Sequence, residues 1–290
     1  MQKIKHTFFE NKRLATLGIE PISFSDLYQK LPTVPERLEF YMLILVTKGQ
    51  GQHCIDFIDY DLRPGTLLFV RPGQVQEWQD YRDLQAEVVL IDPAALPNDE
   101  RVKSKGVDLL ALQDWQNCTL LTELLQQDIR QSISRLKRDF EGFDGSELDI
   151  SLLRNELLNL LLRFARWQNK VRVTDQVTSR SRKTYQLFID LLEQEYRTEH
   201  SLRFYAEKLG YAQSTLSRAC IQVEGYSAKV VIDRRVALEA RRMLAHSSAS
   251  VAEVGYWLGF SEATNFVKFF RRMVGVTPQQ FREQRSEQRH

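Results

Sequence analysis

Arg218 and Lys268 stand about fifty residues apart, each on the second helix of the same kind of helical unit. An arginine can grip O6 and N7 of guanine with two parallel donors, and a lysine can reach them as a point donor. Either can instead neutralise a phosphate, as most basic groove residues do. Ser214 and Ser217 accompany Arg218, and Thr264 and Asn265 accompany Lys268, with Arg271 and Arg272 one turn further on. Small hydroxyls, an amide and cations gathered near a helix start form the set that enters a DNA groove. Base contact and phosphate contact both stay open for Arg218 and Lys268.

Two repeats must position these side chains. The first runs Leu202 to Leu209, Gly210-Tyr211, then Leu216-Ser217-Arg218, and closes at Gly225. The second runs Val251 to Leu258, Gly259-Phe260, then Phe266 to Arg272, and closes at Gly275-Val276-Thr277-Pro278. An apolar helix, a turn opened by Gly plus an aromatic and a second, basic helix make the grammar of a helix-turn-helix. Leu216, Ala219, Cys220 and Val223 at i, i+3, i+4 and i+7 predict one core face, and Phe266, Phe269, Phe270 and Met273 the other. Two such units imply two successive major-groove segments read per monomer. Ser250-x-x-Glu253 is a capping box for the helix it opens, and Ser201 suits an N-cap. Trp257 reads as core or backbone-facing. Arg234, Arg235, Arg241 and Arg242 line the joining helix, some to pair with Glu239 or Asp233 and others to lie along phosphates.

The charge is divided along the chain. Residues 180–290 hold 18 Lys+Arg against 12 Asp+Glu, and the rest hold 22 against 26, so a net +2 combines +6 with −4. A basic module beside an acidic one suits nucleic-acid binding joined to sensing, although an uneven solvated surface gives the same count. Cys54, Cys118 and Cys220 are sparse, with no CxxC, which argues for a reducing cytoplasm and against a disulfide or zinc scaffold. No secretory leader follows Met1, and the aliphatic cluster near Leu157–Leu162 is too short to cross a bilayer. The expected location is therefore the cytoplasm.

From Arg37 to about Leu90 the pattern is β: an apolar run through Val46, another from His53 to Phe57, and turns at Arg63-Pro64-Gly65 and Arg71-Pro72-Gly73. Short strands with such punctuation predict a small barrel or jelly roll. Leu121, Leu125, Ile129, Ile133, Leu136 and Phe140 then recur at threes and fours, as do Leu148, Leu152, Leu153, Leu157, Leu160 and Leu161. Both apolar faces need cover, either from the barrel or from a second subunit. Gln168 to Lys183 is polar and without periodicity, which predicts a linker, with the next helix starting near Thr184.

The stretch Ala240-Arg241-Arg242-Met243-Leu244, Ser250 to Gly255, Gly259-Phe260-Ser261 and Phe266 to Arg282 resembles the AraC/XylS family of transcription regulators. Ala212, where that family usually has a Ser or Thr cap, and Gly255, where it usually has Ala, depart from the pattern. The order Pro-Gly-x6-Pro-Gly-x-Val resembles the cupin-like sensor barrels of many members. The resemblance implies a multi-domain α and β protein: a cupin-like effector-binding and dimerisation domain over 1–165, a linker over 166–182, and an all-α domain with two helix-turn-helix motifs over 183–290. It implies a sequence-specific regulator of transcription, more often an activator, that binds double-stranded DNA as a homodimer and meets RNA polymerase at its promoters. A cupin enzyme needs converging His and Glu ligands. Here His53 stands alone, with Gly51 and Gln76 at positions where histidines occur, so neither metal nor other cofactor is expected. A small organic effector is, with His53, Gln76 and Trp78 as lining candidates by strand alternation or else as ordinary rim residues. An enzyme acting through the barrel, and a barrel serving only as a dimerisation scaffold, are the rival readings.

Overall fold

The computed structural model describes residues 5–7, 17–28, 34–96, 103–104, 107–108, 110, 112–172 and 179–287. The chain divides into two compact units, Ile4–Thr174 and Asp175–His290.

In the first unit the strands are β1 (Lys5–Thr7), β2 (Ile19–Ser23), β3 (Glu36–Leu38), β4 (Tyr41–Lys48), β5 (Gly51–Ile55), β6 (Ile58–Leu62), β7 (Thr66–Val70), β8 (Val75–Asp80), β9 (Gln85–Ile91), β10 (Lys103–Ser104), β11 (Val107–Asp108) and β12 (Cys118–Leu120). One sheet has the order β1-β3-β8-β5-β6 and the other β12-β7-β4-β9-β2, while β10 and β11 pair apart. Between the two five-stranded sheets lies a core of Leu38, Met42, Ile44, Val46, Ile55, Leu62, Leu68, Val70 and Val88. The opposite face of the second sheet supplies Leu43, Leu45, Leu67, Phe69 and Val89 to a second core. A strand buried on both faces reads as an unbroken apolar run, which is why β4 and β7 show no alternation.

That second core is completed by α2 (Glu123–Glu141) and α3 (Glu147–Arg172), through Leu125, Ile129, Ile133 and Leu136 on one and Leu153, Leu157, Leu160, Leu161 and Phe164 on the other. The leucine stripe expected on α3 is thus split. Its inner members are consumed within this unit, while Leu148 and Leu152 are exposed.

Three details depart from the sequence reading. The apolar run His53 to Phe57 ends at Ile55, because Asp56 (φ 50°) and Phe57 (φ 69°) turn the chain into β6. Two consecutive left-handed residues fit a tight hairpin turn, and without glycine or asparagine the sequence gives no cue. Edge strands β2, carrying Pro21, and β12 lack the apolar signature that marks central ones. The polar linker is narrower than 166–182, since α3 continues to Arg172 and α4 (Ser179–Glu195) begins before Thr184. Gln, Arg and Lys favour helix without any apolar periodicity to announce it.

Among the described residues the second unit is all helical: α4, α5 (Leu202–Leu209), α6 (Gln213–Glu224), α7 (Ala228–His246), α8 (Val251–Trp257), α9 (Ala263–Val274) and α10 (Pro278–Glu287). Helix α4 packs on α5 and α6, α10 packs on α7 and α9, and the long α7 touches both helix pairs. A short helix α1 (Phe24–Tyr28) belongs to the first unit and packs on β2 and β9. No described helix is long and apolar enough to cross a membrane.

Candidate nucleic-acid interface

Helices α6 and α9 have 12 residues each, and their bounds correspond position for position at an offset of fifty, from Gln213 and Ala263 to the closing Gly225 and Gly275. Arg218 and Lys268 therefore occupy the same helical position. Both helices end at a left-handed glycine, Gly225 with φ 80° and Gly275 with φ 91°, a conformation that costs a side-chain-bearing residue but not glycine.

The starts differ. Ser250 and Glu253 form the expected capping box on α8, with both reciprocal bonds made, at 2.6 and 3.2 Å. Ser201 occupies the N-cap of α5 without a side-chain bond, and Ala212 at the start of α6 offers none. Gly255 has a packing reason: a Cβ there would stand 2.9 Å from Cβ of Phe266, so the glycine lets α9 sit close against α8. Phe260 then packs on Phe266 and Phe269 at ring separations of 5.4 and 5.1 Å.

Burial sorts the side chains much as their spacing predicts. Leu216, Ala219 and Cys220 are buried on α6, Phe266 and Phe270 on α9, while Val223, Phe269 and Met273 are half-buried. Burial pushes the Cys220 thiol up to about 12, so it stays protonated and inert. Ser214, Arg218, Thr264, Asn265, Lys268 and Arg271 are exposed, and Ser217 is half-buried. Among the described residues Arg218, Lys268 and Arg271 form no ion pair.

Arg272 differs from them. Its guanidinium lies 3.2 Å from Oδ2 of Asp233 on α7, and Asp233 also holds Lys229 at 2.6 Å. Arg272 is exposed like the other cations with which its spacing grouped it, and the tertiary fold adds a carboxylate partner 39 positions away. If this pair orients α9, Asp233→Asn and Arg272→Ala each weaken specific binding by under about 1 kcal/mol, and the double variant is no weaker than either. A loss confined to Arg272→Ala in a binding titration identifies a phosphate contact instead.

The arginines of α7 are largely structural. Arg235 reaches Glu193 and Glu239 at 2.7 and 3.3 Å, Arg242 reaches Glu239 at 3.1 Å, and Arg234 stacks on Tyr226 at 4.3 Å. Arg241 lies 5.8 Å from the Phe281 ring. Trp257, partly exposed, carries the Arg197 guanidinium over its ring at 3.9 Å.

A helix-turn-helix domain family matches residues 205–284 and an AraC-like ligand-binding domain family matches 27–162, in that order along the fold just described. The chain belongs to the AraC/XylS family of transcription regulators. This regulator is 25% identical over 253 residues to the HTH-type transcriptional activator RhaS of Salmonella heidelberg, across 85% of this chain and 86% of that one. Among solved structures it is similar to ToxT from Vibrio cholerae O395, at 11% identity over 91% of this chain and 97% of that one, with a TM-score of 0.39. It is similar also to a regulator with an AraC-type DNA-binding domain from Chromobacterium violaceum, at 24% identity over 38% and 97%, with a TM-score of 0.34.

The regulator's ligand-binding domain holds the other candidate residues. His53 and Gln76 are buried and Trp78 half-buried on the inner face of the first sheet, where His53 pairs with Trp78 and Gln76 with Glu36 across the strands. Gln76 Nε2 donates to Glu36 Oε1 at 2.6 Å, and Thr7 Oγ1 donates to Glu36 Oε2 at 2.6 Å. The sequence reading missed Glu36 and Thr7. Counting back by twos from Leu38 would have placed Glu36 inward. No three His, Cys, Asp or Glu side chains converge as a metal site among the described residues.

Proposed function

We propose that this regulator reads two successive major-groove segments per monomer, binds as a homodimer and activates transcription with RNA polymerase in response to a small effector. The observation that carries the reading is the fifty-residue register of α6 and α9, which presents Arg218 and Lys268 at the same exposed position of two helices. Ser214, Ser217 and Arg218 serve one groove segment. Thr264, Asn265 and Lys268 serve the next, with Arg271 on phosphate. Activation follows the likeness to RhaS, and sensing follows the ligand-binding domain that houses His53, Gln76 and Trp78. The exposed Leu148 and Leu152 on α3 suit a subunit contact. A reducing cytoplasmic setting accords with three free cysteines.

Footprinting on the DNA flanking the gene, with and without candidate effectors, tests the geometry. Protection should cover two groove segments about 10 base pairs apart per monomer and weaken steeply with salt. One segment per monomer overturns the double reading. Within it, Arg218→Ala should cost about 1–3 kcal/mol on the specific site and relax one base position, whereas Arg271→Ala should weaken all sequences alike. Equal losses on specific and random DNA for Arg218→Ala make it a phosphate contact.

A further inference from the structure

The two helix-turn-helix motifs are built alike, but their turns are not placed alike. Gly210 opens the first turn and Gly259 the second, both with left-handed backbone, at φ 68° and 79°. A Cβ on Gly210 would meet no atom within 4 Å. On Gly259 it would stand 2.5 Å from the carbonyl oxygen of Arg197 and 3.2 Å from Cα of Thr198. The turn of the second motif is therefore pressed against the loop between α4 and α5, which leads into the first motif.

Side chains close this contact on both flanks of the turn. The Arg197 guanidinium lies 3.9 Å over the ring of Trp257, just before it. The His200 ring packs on Phe260, just after it, at 4.9 Å between centroids. Burial first, and then the Lys229 ammonium, holds the His200 pKa below its ordinary value, so the ring that meets Phe260 is uncharged. The loop is also held from behind. Lys229 of α7 donates to the His200 carbonyl at 3.0 Å, and the Tyr205 hydroxyl of α5 donates to the Glu199 carbonyl at 2.7 Å. Phe260 carries the contact on into α9 through Phe266 and Phe269.

This strut supplies what α7 cannot. A helix of 19 residues is about 28 Å long, and two bodies joined by one helix can still hinge at its ends. A second connection beside it removes that freedom and fixes how α6 and α9 stand to each other. The consequence for DNA is geometric. One base pair inserted between two groove segments moves the second by about 3.4 Å and turns it by about 34°. A reader with fixed helices cannot follow, so base contacts are lost or the duplex must be deformed to restore them.

We propose that Arg197 and His200 are positioning residues which, by clamping the α4–α5 loop onto the Gly259 turn, set the one spacing of groove segments that this regulator accepts. This rests on the reading that α6 and α9 of one monomer both enter DNA.

The test uses the full-length chain and a duplex of about 20 base pairs carrying one monomer's two segments, selected from a random pool by the wild-type protein. Affinity is measured for that duplex and for versions with one base pair inserted or removed between the segments. Wild type should bind the altered duplexes at least about tenfold more weakly, and in Arg197→Ala combined with His200→Ala that ratio should fall to about threefold or less. Arg197 is exposed, so the single variant Arg197→Ala keeps the test open should the double variant not fold, and its ratio should fall in the same direction. Gly259→Ala should lower the ratio too, because its Cβ wedges the loop off the turn. Gly210→Ala is the control: it carries the same backbone strain without the clash and should keep the wild-type ratio. A purely structural role weakens binding at every spacing alike, so an unchanged ratio in the folded arginine and histidine variants overturns the clamp. A fall in Gly210→Ala as large as in Gly259→Ala overturns it as well. Wild type indifferent to spacing also overturns it, and a footprint on the selected duplex then shows which premise failed. Protection of both segments places the failure in the clamp, and protection of one places it in the double-motif reading.

Discussion

Leu157→Glu unfolds the N-terminal unit. The residue is 0% exposed in the core that α3 shares with α2 and the second sheet. Truncating a buried leucine costs about 2–5 kcal/mol, and an unpaired carboxylate in its place adds desolvation on top. The sum rivals the whole stability of a typical domain, about 5–15 kcal/mol. Circular dichroism should show loss of the sheet contribution, while the helical second unit keeps its signal. The expected contrast is with Leu148→Asp and Leu152→Asp, which touch exposed positions and should leave the fold intact. If those two variants sediment as folded monomers where wild type is a dimer, the exposed rim of α3 is the subunit contact. A folded Leu157→Glu protein would show that the packing of α3 against the sheet is not what holds this unit together.

Glu239→Ala should destabilise the DNA-binding unit by about 3–5 kcal/mol, the usual cost of breaking a buried ion pair by removing one partner. Glu239 has a side-chain exposure of 1% and Arg242 of 5%, and Arg235 joins them while also reaching Glu193 on α4. The Arg235 guanidinium also lies 3.7 Å from the Tyr196 ring, so the network ties α4 to the long helix that joins the two motifs. Losing it should shift the urea midpoint downward and abolish the footprint at temperatures where wild type binds fully. Glu239→Leu combined with Arg242→Leu should recover much of the loss, because an apolar pair avoids the desolvation cost. If the double variant is no more stable than Glu239→Ala, the network contributes specificity of packing that apolar volume cannot replace.

The DNA-binding half was the more legible. Its elements are local: a 3.6-residue period, Gly-aromatic turns and a capping box are written within a few positions of one another, and Leu216, Phe266 and Ser250–Glu253 behave as their spacing requires. Central strands β4 and β7 were equally plain, because burial on both faces demands unbroken apolar runs. Other features had no local mark. The turn at Asp56-Phe57 uses residues that do not advertise a left-handed backbone, and β2 and β12 are edge strands with little apolar signal.

By itself the sequence determined which segments fold into two helix-turn-helix units, which side chains lie on their outer faces, and that His53, Gln76 and Trp78 fall on alternating strand positions. Tertiary structure decided the rest. It spent the inner leucines of α3 on the protein's own core and left Leu148 and Leu152 outside. It turned Arg272 toward Asp233, explained Gly255 by the approach of Phe266, and brought Glu36 beside Gln76. The physical reason is common to all four. Periodicity along a chain reports which face of an element is apolar, whereas the partner of a given atom is set by contacts between segments 11 or more positions apart, from Gly255–Phe266 through Glu36–Gln76 to the α3 leucines against the sheet, for which a single chain carries no local trace.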